Sequence, residues 1–189
     1  MTAALYLVRH CPICDGFEAR DRRIAVIGRV THALGEAAFI ARSYSDDVTL
    51  LTLRRPLALL PPKRALAEQH SIRLVEEPIA ALEVRDGRIA ALCTAAGAEL
   101  RFDIPYSALG LTYRSGLAEA LGAERDGVGA VVVDAHCQTT VKGLYAVGDV
   151  VRVQDQIVVG MGHAAAAATH IHNRCDLPID DEPPPATGR

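Results

Sequence analysis

Cys11-Pro12-Ile13-Cys14-Asp15-Gly16, followed closely by Arg22-Arg23-Ile24-Ala25-Val26-Ile27-Gly28, decides how the rest of this chain is read. The second stretch is a compact apolar run closed by glycine, the pattern of a parallel strand buried on both faces. From Ala33 to Tyr44, Leu34, Ala37, Ala38 and Ala41 recur at helical spacing with no proline between them. That predicts an amphipathic helix. Ser45-Asp46-Asp47 breaks it, and Val48-Thr49-Leu50-Leu51-Thr52 predicts a second strand. Strand, helix, strand over about 30 residues is a βαβ unit and marks a Rossmann-like α/β domain.

Further along, Pro61-Pro62 opens a helix over Lys63–Gln69, and Ile72–Val75 reads as a short strand. The texture then changes to short runs at Ala81–Val84, Arg88–Thr94 and Glu99–Phe102, separated by Asp86-Gly87 and Ala96-Gly97. Asp-Gly between such runs signals hairpins, so an antiparallel meander is expected here. From Ile104 onward, strands are expected at Tyr106–Gly110, Ala130–Val133 and Leu144–Val147, with helices at Leu117–Leu121 and Val158–Asn173. The strands at Tyr106–Gly110 and Leu144–Val147 are expected to lack neighbours, leaving apolar surface for a partner. The expected divisions are 9–103, 104–175 and a disordered, proline-rich and acidic tail at 176–189.

The 189 residues carry a formal charge of −3 and only 4% aromatics, which argues against a nucleic-acid surface. No apolar run reaches the roughly 18 residues of a membrane span. Residues 1–9 lack the basic flank of a secretory signal. Five cysteines, an odd number, do not fit a secreted disulfide framework and point to a reducing cytoplasm.

Each chemical motif has a plainer alternative. Cys11 and Cys14 can close a reactive disulfide, since a Cys-x-x-Cys pair lowers one thiol pKa. The alternatives are a pair of buried structural cysteines, or half of a zinc site completed from His10, His136 with Cys137, or Cys175 with His170 or His172. Asp15 is placed to move a proton to or from a sulfur, or is simply the exposed acid of an Asp-Gly turn. Gly28 and Ala33 fit two positions of a dinucleotide fingerprint, but Val30 stands where its second glycine belongs. Arg54-Arg55 at the end of the second strand suits the 2′-phosphate of NADP(H), or is a solvated basic turn. Gly148-Asp149, Gln156 and Gly160 suit a strand-turn-helix that approaches a pyrophosphate, or one that is merely tightly packed.

Taken in order, these motifs resemble the thioredoxin reductase-like family of flavin- and pyridine-nucleotide-dependent disulfide oxidoreductases. Cys11 to Glu18 is similar to that family's active disulfide, and Ile24–Gly28 to its NADPH-binding start. Gly143 to Val150 is similar to its flavin-binding Gly-Asp motif, and Gln156 to Asn173 to the helix over the flavin ring. The resemblance spans about residues 8–175. It implies that residues 9–103 form an NADPH-binding-like domain and 104–175 the C-terminal part of a FAD-binding-like domain. It further implies that electrons pass from NADPH through FAD to the dithiol and on to thioredoxin or another disulfide protein. Cys14 would face the flavin, Cys11 would attack the partner, and Asp15 would be the acid.

The family opens with a glycine-rich FAD-binding βαβ unit, about one small domain in size, which this sequence does not show. A homodimer, or another chain supplying the missing flavin half, is therefore expected to complete the electron path. The alternative is a non-enzymatic remnant or redox-sensing interaction module without flavin.

Overall fold

The computed structural model describes residues 7–28, 30–52, 60–85 and 87–175. Arg54, Arg55 and the expected disordered tail at 176–189 lie outside the described residues. Backbone contacts divide the chain into two units, Met1–Gly110 and Leu111–Arg189.

In the first unit the elements run α1 (Pro12–Asp15), β1 (Ile24–Gly28), α2 (Val30–Ser43), β2 (Val48–Leu51), α3 (Pro61–Gln69) and β3 (Arg73–Val75). Then come β4 (Ile79–Arg85), β5 (Arg88–Thr94), β6 (Glu99–Leu100) and β7 (Ile104–Ala108). Strands β3-β2-β1-β7 form a parallel sheet, and β4-β5-β6 the expected antiparallel meander. The pleat sends successive side chains to opposite faces. Ile24 and Val26 accordingly join a core with Ala33, Leu34, Ala37 and Ile40 of α2. Ala25 and Ile27 face a second core with Leu51, Leu92 and Phe102. A strand covered on both sides must be apolar at every position, which is why β1 is readable as one unbroken run.

The run expected to lack neighbours at Tyr106–Gly110 has them. β7 pairs with β1 from Ile24↔Ile104 to Gly28↔Ala108. On its other side, Arg9 N–H donates to the Pro105 carbonyl at 2.8 Å, and Ser107 N–H to the Arg9 carbonyl at 2.8 Å. Arg23 clips the strand starts together through a 2.8 Å ion pair with Asp103. This pairing places 104–108 in the first compact unit, Met1–Gly110.

Glu36 is out of character on α2. Its Oε1 is buried without a hydrogen-bond partner, and burial pushes the carboxyl pKa up to about 7. A carboxyl whose folded pKa exceeds its unfolded value binds an extra proton in the folded state between those values. Its contribution is complete below about pH 4.5 and is lost as pH rises through about 7. Glu36→Gln, which mimics the protonated form, is expected to flatten stability against pH across that window. It should stabilise the chain by about 1 kcal/mol at pH 8.5. Urea unfolding at pH 5, 7 and 8.5 checks this.

The second unit contains α4 (Gly116–Ala120) and α5 (Ile157–His172), with a 3-10 turn at Gly148–Val150. Ala130–Val133 and Leu144–Val147 are not strands. Only isolated bridges occur there, Arg125↔Val131, Val131↔Val151, Val133↔Thr139 and Gln138↔Tyr145. Aspartate side chains organise the turns instead. Asp126 Oδ1 accepts from the N–H groups of Val128 and Ala130, both at 3.0 Å. Asp134 Oδ1 accepts from those of His136 and Gln138 at 2.8 and 2.9 Å. Such side-chain-to-backbone bonds compete with ladder formation. Helix α5 is apolar along its length, yet Ile157, Val158 and Met161 are exposed and only Ala167 is buried.

Candidate active site

Helix positions three apart lie side by side, so two cysteines with two residues between them can meet across one turn. Pro12 starts the α1 turn with its preset φ, and Cys11 is the N-cap. Cys11 and Cys14 form a disulfide with a Cα–Cα separation of 5.3 Å. The Cys14 N–H donates to Cys11 Sγ at 3.2 Å, a contact that would favour a thiolate on Cys11 after reduction. Cys14 is exposed and Cys11 partly so, with exposed Ile13 and Phe17 beside them. Gly16 is buried against Tyr44, whose ring would lie 2.3 Å from a Cβ at that position. The dithiol turn therefore packs where a larger residue would clash.

Asp15 is held from two directions. The Tyr106 hydroxyl donates to its Oδ1 at 2.7 Å, and Arg9 Nη1 lies 3.5 Å from Oδ2. Arg9 Nη1 also donates to the Asp15 carbonyl at 2.9 Å, and Nη2 to Glu18 at 3.1 Å. Tyr106 is fully buried in β7. Burial and its bond to Asp15 raise its pKa above the ordinary phenol value, so the hydroxyl keeps its proton. Burial opposes charge on Arg9, but hydrogen bonding with Tyr106 and the charge of Asp15 outweigh it, and the guanidinium pKa is raised. Sequence reading misses Arg9 and Tyr106. The only local signal is a polar-tipped aromatic inside an apolar strand, which must find a partner when buried.

Gly28 and Ala33 meet at the end of β1. A Cβ on Gly28 would lie 2.2 Å from the Ala108 carbonyl oxygen and 2.7 Å from Ala33 Cβ. The absent side chain thus lets β7 and α2 close on β1.

The second unit gathers Gly148, Asp149, Gln156 and Gly160 around the start of α5. Gly148 has φ 72°, a left-handed conformation that favours glycine. A Cβ on Gly160 would sit 3.5 Å from Gly148 Cα, and Gln156 is the N-cap of α5. Nearby in sequence, Asp155 Oδ1 and His163 Nδ1 are buried without hydrogen-bond partners. Burial and the neighbouring Asp149 raise the Asp155 carboxyl pKa. The glycines thus let the start of α5 approach the 3-10 turn closely. Sequence reading does not single out Asp155 or His163.

Two residues weighed for zinc, His136 and His170, stack at 4.2 Å with an interplanar angle of 4°. Tyr145 Oη lies 2.8 Å from His170 Nδ1. Among the described residues, no three His, Cys, Asp or Glu side chains converge as a metal site. No helix among them is long and apolar enough to cross a membrane.

The chain thus carries a Cys-x-x-Cys disulfide on a parallel, Rossmann-type sheet. The chain belongs to the pyridine nucleotide-disulphide oxidoreductase family, whose pattern matches residues 1–170. It is 28% identical over 175 residues to thioredoxin reductase of Treponema pallidum (strain Nichols), covering 85% of this chain and 54% of that protein. It is 30% identical over 170 residues to thioredoxin reductase of Mycolicibacterium smegmatis, again covering 85% of this chain and 54% of that protein. Among solved structures, that of HlmI superposes with a TM-score of 0.80 at 29% identity, covering 89% of this chain and 52% of the other. The chain thus spans about half the length of these relatives. It is a thioredoxin reductase-like member of its family, with its disulfide at Cys11–Cys14.

Proposed function

We propose that this chain is the dithiol-bearing part of a thioredoxin reductase-like enzyme that passes electrons from NADPH through FAD to Cys11 and Cys14, and on to a protein disulfide. The observation that carries this reading is the Cys11–Cys14 disulfide in a capped turn with a tethered carboxylate beside it. Reduction of the ring takes two electrons and two protons. The Cys11 thiolate then attacks a partner disulfide, forming a mixed disulfide and releasing one partner sulfur. Attack by Cys14 re-forms the ring and frees the second partner sulfur, so the partner leaves as a dithiol.

In this reading Gly148, Asp149, Gln156 and Gly160 would hold the flavin end of FAD, which when bound would supply the electron pair. In this reading the first unit is the NADPH domain, with Gly28 and Ala33 at its nucleotide turn and Arg54 and Arg55 at the 2′-phosphate. The second unit is the rear of the FAD domain. The exposed apolar side of α5 supports a need for covering surface, from a second copy or a chain carrying the front of the flavin domain. A reducing, cytoplasmic setting suits the free thiols of Cys93, Cys137 and Cys175.

The test is NADPH oxidation at 340 nm with FAD and thioredoxin, with and without an added FAD-binding βαβ polypeptide. Turnover only with the added polypeptide supports the proposal. The same exposed α5 favours the second reading, an interaction module without flavin. That reading wins if no combination oxidises NADPH while the protein still binds a partner through its dithiol.

A further inference from the structure

Polar contacts from Tyr106, 91 residues away, and from Arg9 converge on Asp15 in the first unit. A carboxylate in a short surface turn is ordinarily free to swing into water. Here both oxygens are engaged: Oδ1 by the hydroxyl of Tyr106 at 2.7 Å, and Oδ2 by Arg9 at 3.5 Å. Each anchor is fixed in turn. Tyr106 is fully buried in the middle of β7, with β1 on one side. Arg9 is bonded to that same strand through its backbone and to the Asp15 carbonyl and Glu18 through its side chain. A phenylalanine would fill the core position of Tyr106 equally well, so packing does not account for the hydroxyl.

We propose that Tyr106 and Arg9 are positioning residues that hold the Asp15 carboxylate in its orientation at the dithiol. This rests on the reading above that Asp15 handles the proton of the dithiol. In ring closure the carboxylate takes the proton of the Cys14 thiol. The resulting Cys14 thiolate attacks the mixed disulfide at Cys11, the Cys11–Cys14 bond forms, and the departing sulfur carries away the electron pair of the broken bond. A hydroxyl donor on one oxygen and a cation beside the other keep the carboxylate aimed; without them it is free to rotate into water.

The experiment uses the full chain, reduced and then re-oxidised with glutathione disulfide from pH 5 to 9. Ring closure is followed by alkylation and mass spectrometry of the Cys11–Cys14 peptide, so Cys93, Cys137 and Cys175 do not interfere. Tyr106→Phe and Arg9→Met are each expected to slow closure about tenfold across this pH range. Arg9→Lys, which keeps the cation, should recover most of the rate. Profiles for Tyr106→Phe and Arg9→Met that superpose on the parent's, whatever their thermal stability, overturn the proposal. Asp15→Asn separates the two levels. If it too leaves the profile unchanged, the proton role of Asp15 itself fails; if it slows closure while the other two do not, only the positioning role fails. Arg9→Met leaves the buried β7 core untouched, so the test survives misfolding of Tyr106→Phe.

Discussion

Cys14→Ser is expected to abolish disulfide reduction in the reconstituted system, by at least about a thousandfold, and to trap the partner on Cys11. Serine cannot re-form the ring, because its alcohol is not ionised near neutral pH and is no substitute for a thiolate in disulfide exchange. Cys11 should still attack, since its Sγ keeps the backbone N–H of position 14 as a hydrogen-bond donor. The mixed disulfide then has no resolving thiol and should persist as a covalent adduct on a non-reducing gel, with mass spectrometry placing the link at Cys11. Cys11→Ser should be equally inactive but give no adduct at that position. The fold should tolerate either change, because a ring closed over so few residues constrains the unfolded chain by no more than about 2 kcal/mol. An adduct through Cys14 in the Cys11→Ser variant, with none through Cys11 in the Cys14→Ser variant, would reverse the assigned order of attack.

The parts of this molecule that are legible in its sequence are those whose physics is local. The β1 strand is bounded at Ile24 and Gly28 because burial on both faces forbids a polar residue, and glycine ends the run. The meander is legible from Asp86-Gly87 and Ala96-Gly97, as turn chemistry is set by the turn residues themselves. The dithiol turn needs only the i, i+3 spacing of Cys11 and Cys14. The second unit is not readable in this way. Ala130–Val133 and Leu144–Val147 have strand composition, but Asp126 and Asp134 satisfy the neighbouring N–H groups and leave single bridges. The anchors of Asp15 are illegible for a different reason. Tyr106 is 91 residues away, and it reaches the dithiol through the pairing of β7 with β1 and its bridge to Arg9.

Gly28→Ala should cause the largest loss of stability of any single substitution argued here, about 3 kcal/mol or more, lowering Tm by roughly 10–20 °C. An added Cβ would lie 2.2 Å from the carbonyl oxygen and 2.7 Å from the carbonyl carbon of Ala108, and 2.7 Å from Ala33 Cβ. Neither neighbour can swing aside: one is backbone in a paired strand, the other a fully buried methyl group on α2. The strand must therefore separate from β7, or α2 must lift from the sheet, and either opens the core around Ile24, Val26 and Leu34. Gly35→Ala is the matched control. Gly35 lies on the exposed side of the same helix with open space at its Cβ position, so alanine should stabilise by about 0.5–1 kcal/mol. Thermal unfolding of the two variants by circular dichroism checks both signs. Equal and small effects would show that β7 does not press on β1 as described. A large loss at Gly28 alone carries a further consequence for the nucleotide site. This glycine is then required by the sheet whether or not a pyrophosphate ever approaches it, so its presence in the fingerprint position is not in itself a sign of NADPH. On the proposed reading the weight rests on Arg54 and Arg55, whose replacement by glutamine should weaken NADPH binding about tenfold or more in a titration.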